Sequence, residues 1–495
     1  MSNPRSASQA ALPPGVDERR RSLLGWPMLG AWGWTAPASA QGAGELAQTA
    51  VSAPAPAASE PDTGNTPPDV GRLALVIGNR QYPAGNDLPS IHKNARDMRL
   101  ALQRRGFAVM MLLDADVVAA RLAVDGFAQR AQAAPADATV LFYFSGHGAQ
   151  IDAENLLVGA GVNVGPTAPT DPVIRGSLAL RSDVLAKLPQ RQTGLTIAVI
   201  DACRTDVVTK PTRGNDGLNQ AEAPPGCLIA FSTAAGTPAI APNVETLSTF
   251  YTASLVHLLN TASDELSFSE LFKLVKIEVR ETMRTHRIEQ IRRFAQNPFI
   301  AENLRTNFMI ASRRSLQADP NIAANARFRS EREAADWQQL QGLVWPPDLF
   351  RLADQFLGSY PQSKLVGGAR VLREGASEAA AILRRNDVRL YRRSFDASAA
   401  PSEIYATDLR KAAGGDKDAA ARIGRQWATH APSGAEVSRF EGWMQYAAEL
   451  GNGIASYELA LHYRRVNQPQ PAARWEARAR ALGYTPPTAL EHTRK

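Results

Sequence analysis

Cysteine is nearly absent from this sequence. Two residues in 495, Cys203 and Cys227, can supply neither a disulfide framework nor a four-thiolate zinc site. The seven histidines are scattered without metal-ligand spacing, and no calcium-loop pattern occurs, so no metal and no other cofactor is expected. No run of about 20 apolar residues is present, which argues against an integral membrane segment. An excess of charge of one sign is also missing. The formal net charge is only +7, and Lys and Arg are not concentrated among aromatic residues on one element, so no nucleic-acid partner is expected. With 44% apolar and 21% charged residues, what is present is ordinary globular sequence.

The length calls for more than one core, at roughly 100 to 200 residues per domain. Residues 1–40 read as an export leader. Arg19-Arg20-Arg21 precede Ser22-Leu23-Leu24, a short apolar stretch follows, and Ala38-Ser39-Ala40 offers a small-x-small cleavage site. The paired arginines resemble a twin-arginine signal, which implies a periplasmic or secreted protein. The alternative is a cytoplasmic one, which a reactive unpaired thiol modestly favours. Residues 41–70, rich in Ala, Pro, Ser and Thr, read as a flexible linker.

From 71 to 315 the pattern alternates between strand and helix. Apolar runs at 73–77, 107–113, 139–144, 195–200 and 227–231 read as strands, and helices are expected around 95–102, 117–133 and 178–188. Continuous apolar strands alternating with helices predict an α/β fold with a mostly parallel sheet covered on both faces. In such sheets ligands bind beyond the carboxyl ends of the strands. Two motifs stand there. One strand runs into Ser145-Gly146-His147-Gly148 and another into Asp201-Ala202-Cys203-Arg204. If those strands are neighbours, an imidazole and a thiol meet across 56 positions of sequence (147 to 203). A Cys–His pair is what a thiol nucleophile needs, because a free thiol with a pKa of about 8.5 is mostly protonated at neutral pH. Glycines on both sides of His147 would let backbone approach a substrate closely. The N–H groups of Gly148 and Cys203 are the natural oxyanion donors.

At these motifs the chain resembles the bacterial caspase-like and metacaspase peptidases. The resemblance runs from Leu75-Val76-Ile77-Gly78-Asn79 and Tyr82 through Gly106-Phe107, Tyr143 to Gln150, Val199 to Arg204 and Ala223 to Gly236, ending near Gln296 to Phe299. It implies a caspase-like α/β/α sandwich and a cysteine endopeptidase acting on polypeptides through a thioester acyl-enzyme. His147 would be base and later acid, and Cys203 the nucleophile. Asp201 falls where metacaspase-like relatives carry an acid in the pocket for the residue before the scissile bond, which implies cleavage after Arg or Lys. Where the family usually has Asn-Asp-Ala, this chain has Lys93-Asn94-Ala95, so the second pocket acid is missing; Asp97, nearly one helical turn on, is the candidate substitute. Cys227 reads as a core cysteine. The segment 206–223, with Lys210 and Arg213, reads first as an exposed loop, and the alternative is a self-processing site for an enzyme that cuts after basic residues.

Beyond 320 strand-like runs cease. Residues 320–400 suit short packed helices of a tetratricopeptide-like kind. In 401–486 a repeat emerges: Ala412 and Ala448, Gly415 and Gly451, Ala419 and Ala455, and Trp427 and Tyr463 are each 36 residues apart. The period resembles Sel1-like helical repeats, which imply a surface for a protein partner; the alternative is a helical cap that stabilises the enzyme. Two competing functions stay open: a catalytically silent scaffold acting through its repeats, and a small-molecule hydrolase on the same sheet.

Overall fold

The computed structural model describes residues 71–151, 154–164, 168–204, 220–234, 239–294, 296–311, 328–385, 387–428 and 434–484. The expected leader 1–40 and linker 41–70, and Lys210 and Arg213 of the candidate processing segment, lie outside the described residues.

Eight strands form one sheet: β1 (Arg72–Gly78), β2 (Ala108–Leu113), β3 (Thr139–Ile151), β4 (Glu154–Val158), β5 (Ser177–Ala179), β6 (Leu195–Arg204), β7 (Cys227–Phe231) and β8 (Phe299–Glu302). The main order is β2-β1-β3-β6-β7-β8, parallel except for β8, while β4 pairs antiparallel with β3 and with β5. The continuous apolar runs have a direct cause. Along β3, Leu141 and Tyr143 enter one core while Val140, Phe142 and Phe144 enter the core on the opposite face. A strand buried on both faces has no polar side to show.

Helices α1 (Ile91–Arg104), α4 (Phe250–Thr261) and α5 (Phe268–Arg284) cover the first face, and α2 (Val117–Ala133) covers the second. Two short helices complete this part, α3 (Thr170–Arg175) and α6 (Glu289–Phe294). Helix α1 starts earlier than its apolar pattern suggests and stops before Gly106, whose φ of +81° is the left-handed turn into β2. The helix expected at 178–188 is corrected: Ser177–Ala179 is strand β5, followed by a π-helical turn at Leu180–Leu185. Leu178, Leu180, Val184, Leu185 and Leu188 are core residues either way, so their spacing alone did not separate strand from helix.

The rest of the described chain is helical: α7 (Glu331–Gly342), α8 (Pro346–Ser359), α9 (Val366–Leu383), α10 (Glu403–Ala413), α11 (Lys417–Gln426), α12 (Gly434–Glu449), α13 (Gly453–Arg465) and α14 (Pro469–Ala481). The 36-residue period has a structural counterpart. Gly415 and Gly451, with φ of +81° and +103°, turn α10 into α11 and α12 into α13, and Asp416 and Asn452 then cap the second helix of each pair. Ala412, Ala448, Ala419 and Ala455 are fully buried where the helices meet.

This helical array is docked on the sheet by its edge. Lys417 donates to the carbonyl of Ile300 at 2.6 Å and stands over the Phe299 ring, while the N–H of Glu302 donates to Asp418 at 3.0 Å. Lys411 reaches the carbonyl of Leu304 at 2.7 Å, and Arg422 that of Glu302 at 3.3 Å. Side chains thus satisfy edge-strand backbone groups that would otherwise template another strand. Further along, the side chain of Gln220 bonds to the carbonyl of Gly451 and the N–H of Gly453. No described helix is long and apolar enough to cross a membrane.

Candidate active site

Both chemical motifs belong to the strands themselves. β3 runs through Ser145-Gly146-His147-Gly148 to Ile151, and β6 runs through Asp201-Ala202-Cys203 to Arg204. The two strands are parallel neighbours, and their register pairs Ser145 with Asp201 and His147 with Cys203. One inter-strand spacing, roughly 4.8 Å, therefore separates the backbones that carry the imidazole and the thiol. The side chain of Cys203 lies outside the described residues.

His147 is 5% exposed. Its Nε2 lies 2.8 Å from the carbonyl oxygen of Asn86. A carbonyl only accepts, so Nε2 carries the proton and the lone pair of the neutral ring sits on Nδ1. Tyr82 holds the same residue from behind. Its hydroxyl accepts from the His147 backbone N–H at 3.1 Å and donates to the carbonyl of Val158 at 3.1 Å, and its ring meets the imidazole edge-on with centroids 4.5 Å apart. Burial holds the imidazole pKa below its ordinary value, partly offset by the Asn86 carbonyl, which favours the protonated ring.

Gly146 has a different role from the one its neighbourhood to His147 suggests. A Cβ there would stand 2.7 Å from the Tyr82 hydroxyl and 3.0 Å from the Phe144 ring. Glycine at this position makes room for Tyr82. Gly148, the other expected oxyanion donor beside Cys203, pairs with Arg204 of β6 on one side and Leu157 of β4 on the other.

Below this pair lies a polar chamber. Asp201, 1% exposed, accepts at Oδ2 from the hydroxyls of Thr249 (2.5 Å) and Thr252 (2.6 Å), with the amide of Asn94 at 3.3 Å. Asn94 also reaches Ser145 Oγ at 3.1 Å and accepts from the N–H of Thr249 at 3.0 Å. Burial pushes the Asp201 carboxyl up, and the Thr249 and Thr252 hydroxyls hold it back. Ser232 sits alongside and also holds the carboxyl down, while the Oδ1 of Asp201 is fully buried. Thr249 caps α4, its hydroxyl accepting from the N–H of Thr252 at 3.1 Å, so the cap also aims two hydroxyls at the carboxyl.

Asp97, the proposed substitute acid, is engaged elsewhere: Lys93 approaches it at 2.5 Å and Ser248 donates to it at 3.1 Å. Asn94, not Asp97, is the α1 residue beside Asp201. Cys227 is a core residue as expected, 2% exposed within the apolar strand β7, and burial pushes its thiol up to about 12. Sequence reasoning missed Thr249, Thr252 and the carbonyl of Asn86. Thr249 carried a signal, since a Thr just before an apolar helical run marks an N-cap, and Thr252 follows it three residues into α4. A backbone carbonyl carries none.

No curated protein matches the chain in sequence. Residues 71–309 match the family model of the caspase domain, Peptidase_C14, and with their mostly parallel sheet between helices they form a caspase-like domain.

Proposed function

We propose that the caspase-like domain is a cysteine endopeptidase in which Cys203 attacks and His147 moves the proton. The supporting observation is the in-register pairing of these two residues on adjacent parallel strands, with the imidazole's tautomer fixed by Asn86. In this reading His147 takes the thiol proton, the thiolate sulfur bonds to the scissile carbonyl carbon, and the N–H groups of Gly148 and Cys203 hold the oxyanion. His147 then gives its proton to the departing amine as the C–N bond breaks. A water activated by the same imidazole hydrolyses the thioester.

Cleavage after Arg or Lys is the specificity this reading favours, because Asp201 sets a buried carboxyl two residues before the nucleophile. With Asn94 beside it, the chamber carries one carboxylate, so the basic preference rests on Asp201 and not on Asp97. The helical array acts first as the cover of strand β8, and its outward face is the surface offered to a protein partner. Export by the leader completes the reading.

The test is hydrolysis of a fluorogenic peptide library, varied at the residue before the scissile bond, by the full chain and by Cys203→Ala. Cleavage after Arg or Lys that vanishes in the variant supports the assignment. Turnover of simple esters without peptides would point to a small-molecule hydrolase, and no turnover at all to a scaffold.

A further inference from the structure

The turn between β1 and α1 carries both groups that hold His147, and it is itself anchored at several points. Gly161 N–H bonds to the carbonyl of Gln81 at 3.0 Å, Leu88 N–H to that of Arg80 at 2.9 Å, and Tyr82 N–H to Asp87 at 2.7 Å. The central fixture is Asp114, just beyond β2. One oxygen accepts from the N–H groups of Arg80 (2.7 Å) and Gln81 (3.0 Å), and the other faces His92 Nε2 at 2.7 Å. Asp114 takes this position with φ at +51°, a left-handed conformation that Asp and Asn tolerate better than other side chains. Asn79 adds bonds to the backbone of Ala115 and Val158, tying the start of the turn to the same corner.

We propose that Tyr82 and Asp114 are positioning residues of the thiol chemistry: Asp114 fixes the turn, and the turn presents the Asn86 carbonyl and the Tyr82 hydroxyl to His147. This rests on the dyad reading above. In this reading both residues act through His147 and the turn that holds it. Tyr82, 3% exposed, seats the His147 backbone, while Asn86 sets which ring nitrogen is basic. Loss of either hold lets the imidazole rotate or shift relative to β6, and misplacement on the scale of 1 Å can cost about a hundredfold in rate.

The experiment compares the full chain with Tyr82→Phe, Asp114→Ala and Asp114→Asn. The rate of iodoacetamide alkylation at Cys203 is followed against pH, and kcat and KM are measured on the best peptide. Asparagine keeps an oxygen for the two N–H groups and tolerates the left-handed backbone, so it is the conservative rescue. Expected are a roughly tenfold or greater fall in kcat for Tyr82→Phe and Asp114→Ala with KM within about twofold, and an alkylation profile moved towards an ordinary thiol near 8.5. Asp114→Asn should restore most of both. Wild-type profiles and kcat in Tyr82→Phe and Asp114→Ala would overturn the proposal alone, as would losses matching only the fraction unfolded in urea. If His147→Ala itself leaves the alkylation profile unchanged, the dyad reading falls and this inference with it.

Discussion

The Nε2 of His147 lies within hydrogen-bonding distance of the carbonyl oxygen of Asn86, which fixes where the ring carries its proton. Burial depresses the imidazole pKa, so the neutral, basic form persists to lower pH than in a solvated histidine. The acid limb of kcat/KM for peptide cleavage should therefore fall below the ordinary value of about 6.5. Stability has its own sign. The unfolded chain binds this proton first, so His147 costs stability as pH falls through about 6.5, and the cost stops growing below the folded value. A pH–rate profile and urea midpoints across the same range check both limbs.

The two cysteines should behave oppositely towards a thiol reagent. Cys227 is buried with its thiol pushed up to about 12, whereas Cys203 stands opposite His147. Brief iodoacetamide treatment of the native chain should modify Cys203 alone, and denaturation should release the second site. Intact-mass and peptide mapping read the count and the positions.

Asp201→Asn should separate stability from specificity. The folded carboxyl titrates above its unfolded value, so the native state holds the proton more tightly, and stability is lost as pH rises from about 4 through the folded value. At neutral pH the buried carboxylate is a net cost that a neutral amide of the same shape removes. The variant should melt at or above the wild-type temperature at pH 7, with the difference shrinking towards pH 4, while cleavage after Arg or Lys falls by at least about tenfold. A lower melting temperature at pH 7 would show that the carboxylate holds the chamber together.

Arg72 closes the domain. Its guanidinium donates to the carbonyls of Arg105, Met309, Ile310 and Ala311, and it rests against the edge-on pair of rings Phe107 and Phe268, 5.4 and 5.7 Å from their centroids. Arg72→Ala leaves four carbonyls without this donor and should cost about 3 kcal/mol. Urea unfolding followed by far-UV circular dichroism measures it; a loss under about 0.5 kcal/mol, the usual range for surface positions, would contradict the clamp.

Much of this was legible before the fold was drawn. The apolar runs of β1, β3, β6 and β7 announced a sheet buried on both faces, and the motifs at the ends of β3 and β6 set His147 and Cys203 on strands that the register makes neighbours. Gly415 and Gly451 announced the helix pairs through their period. What was not legible depended on contacts with no local pattern. Strand β8 is four residues long, and α1 begins before its apolar stripe, at Ile91, which seats Asn94 beside Asp201. The role of Gly146 is set by a tyrosine 64 positions earlier in the chain (82 to 146), which only the fold brings against it.

The capped strand β8 has a consequence for assembly. A sheet grows by adding strands at its two ends, and here one end is sealed by lysine, arginine and aspartate side chains of the same polypeptide. At the other end of the strand order stands β2, an apolar run of Ala, Val, Met and Leu, every residue of it only half buried. Along the main strand run, a second molecule pairing by backbone would meet a sealed edge at β8 and the strand Ala108–Leu113 at the opposite edge, while β5 ends the antiparallel branch, so growth of that run has a direction built into the chain.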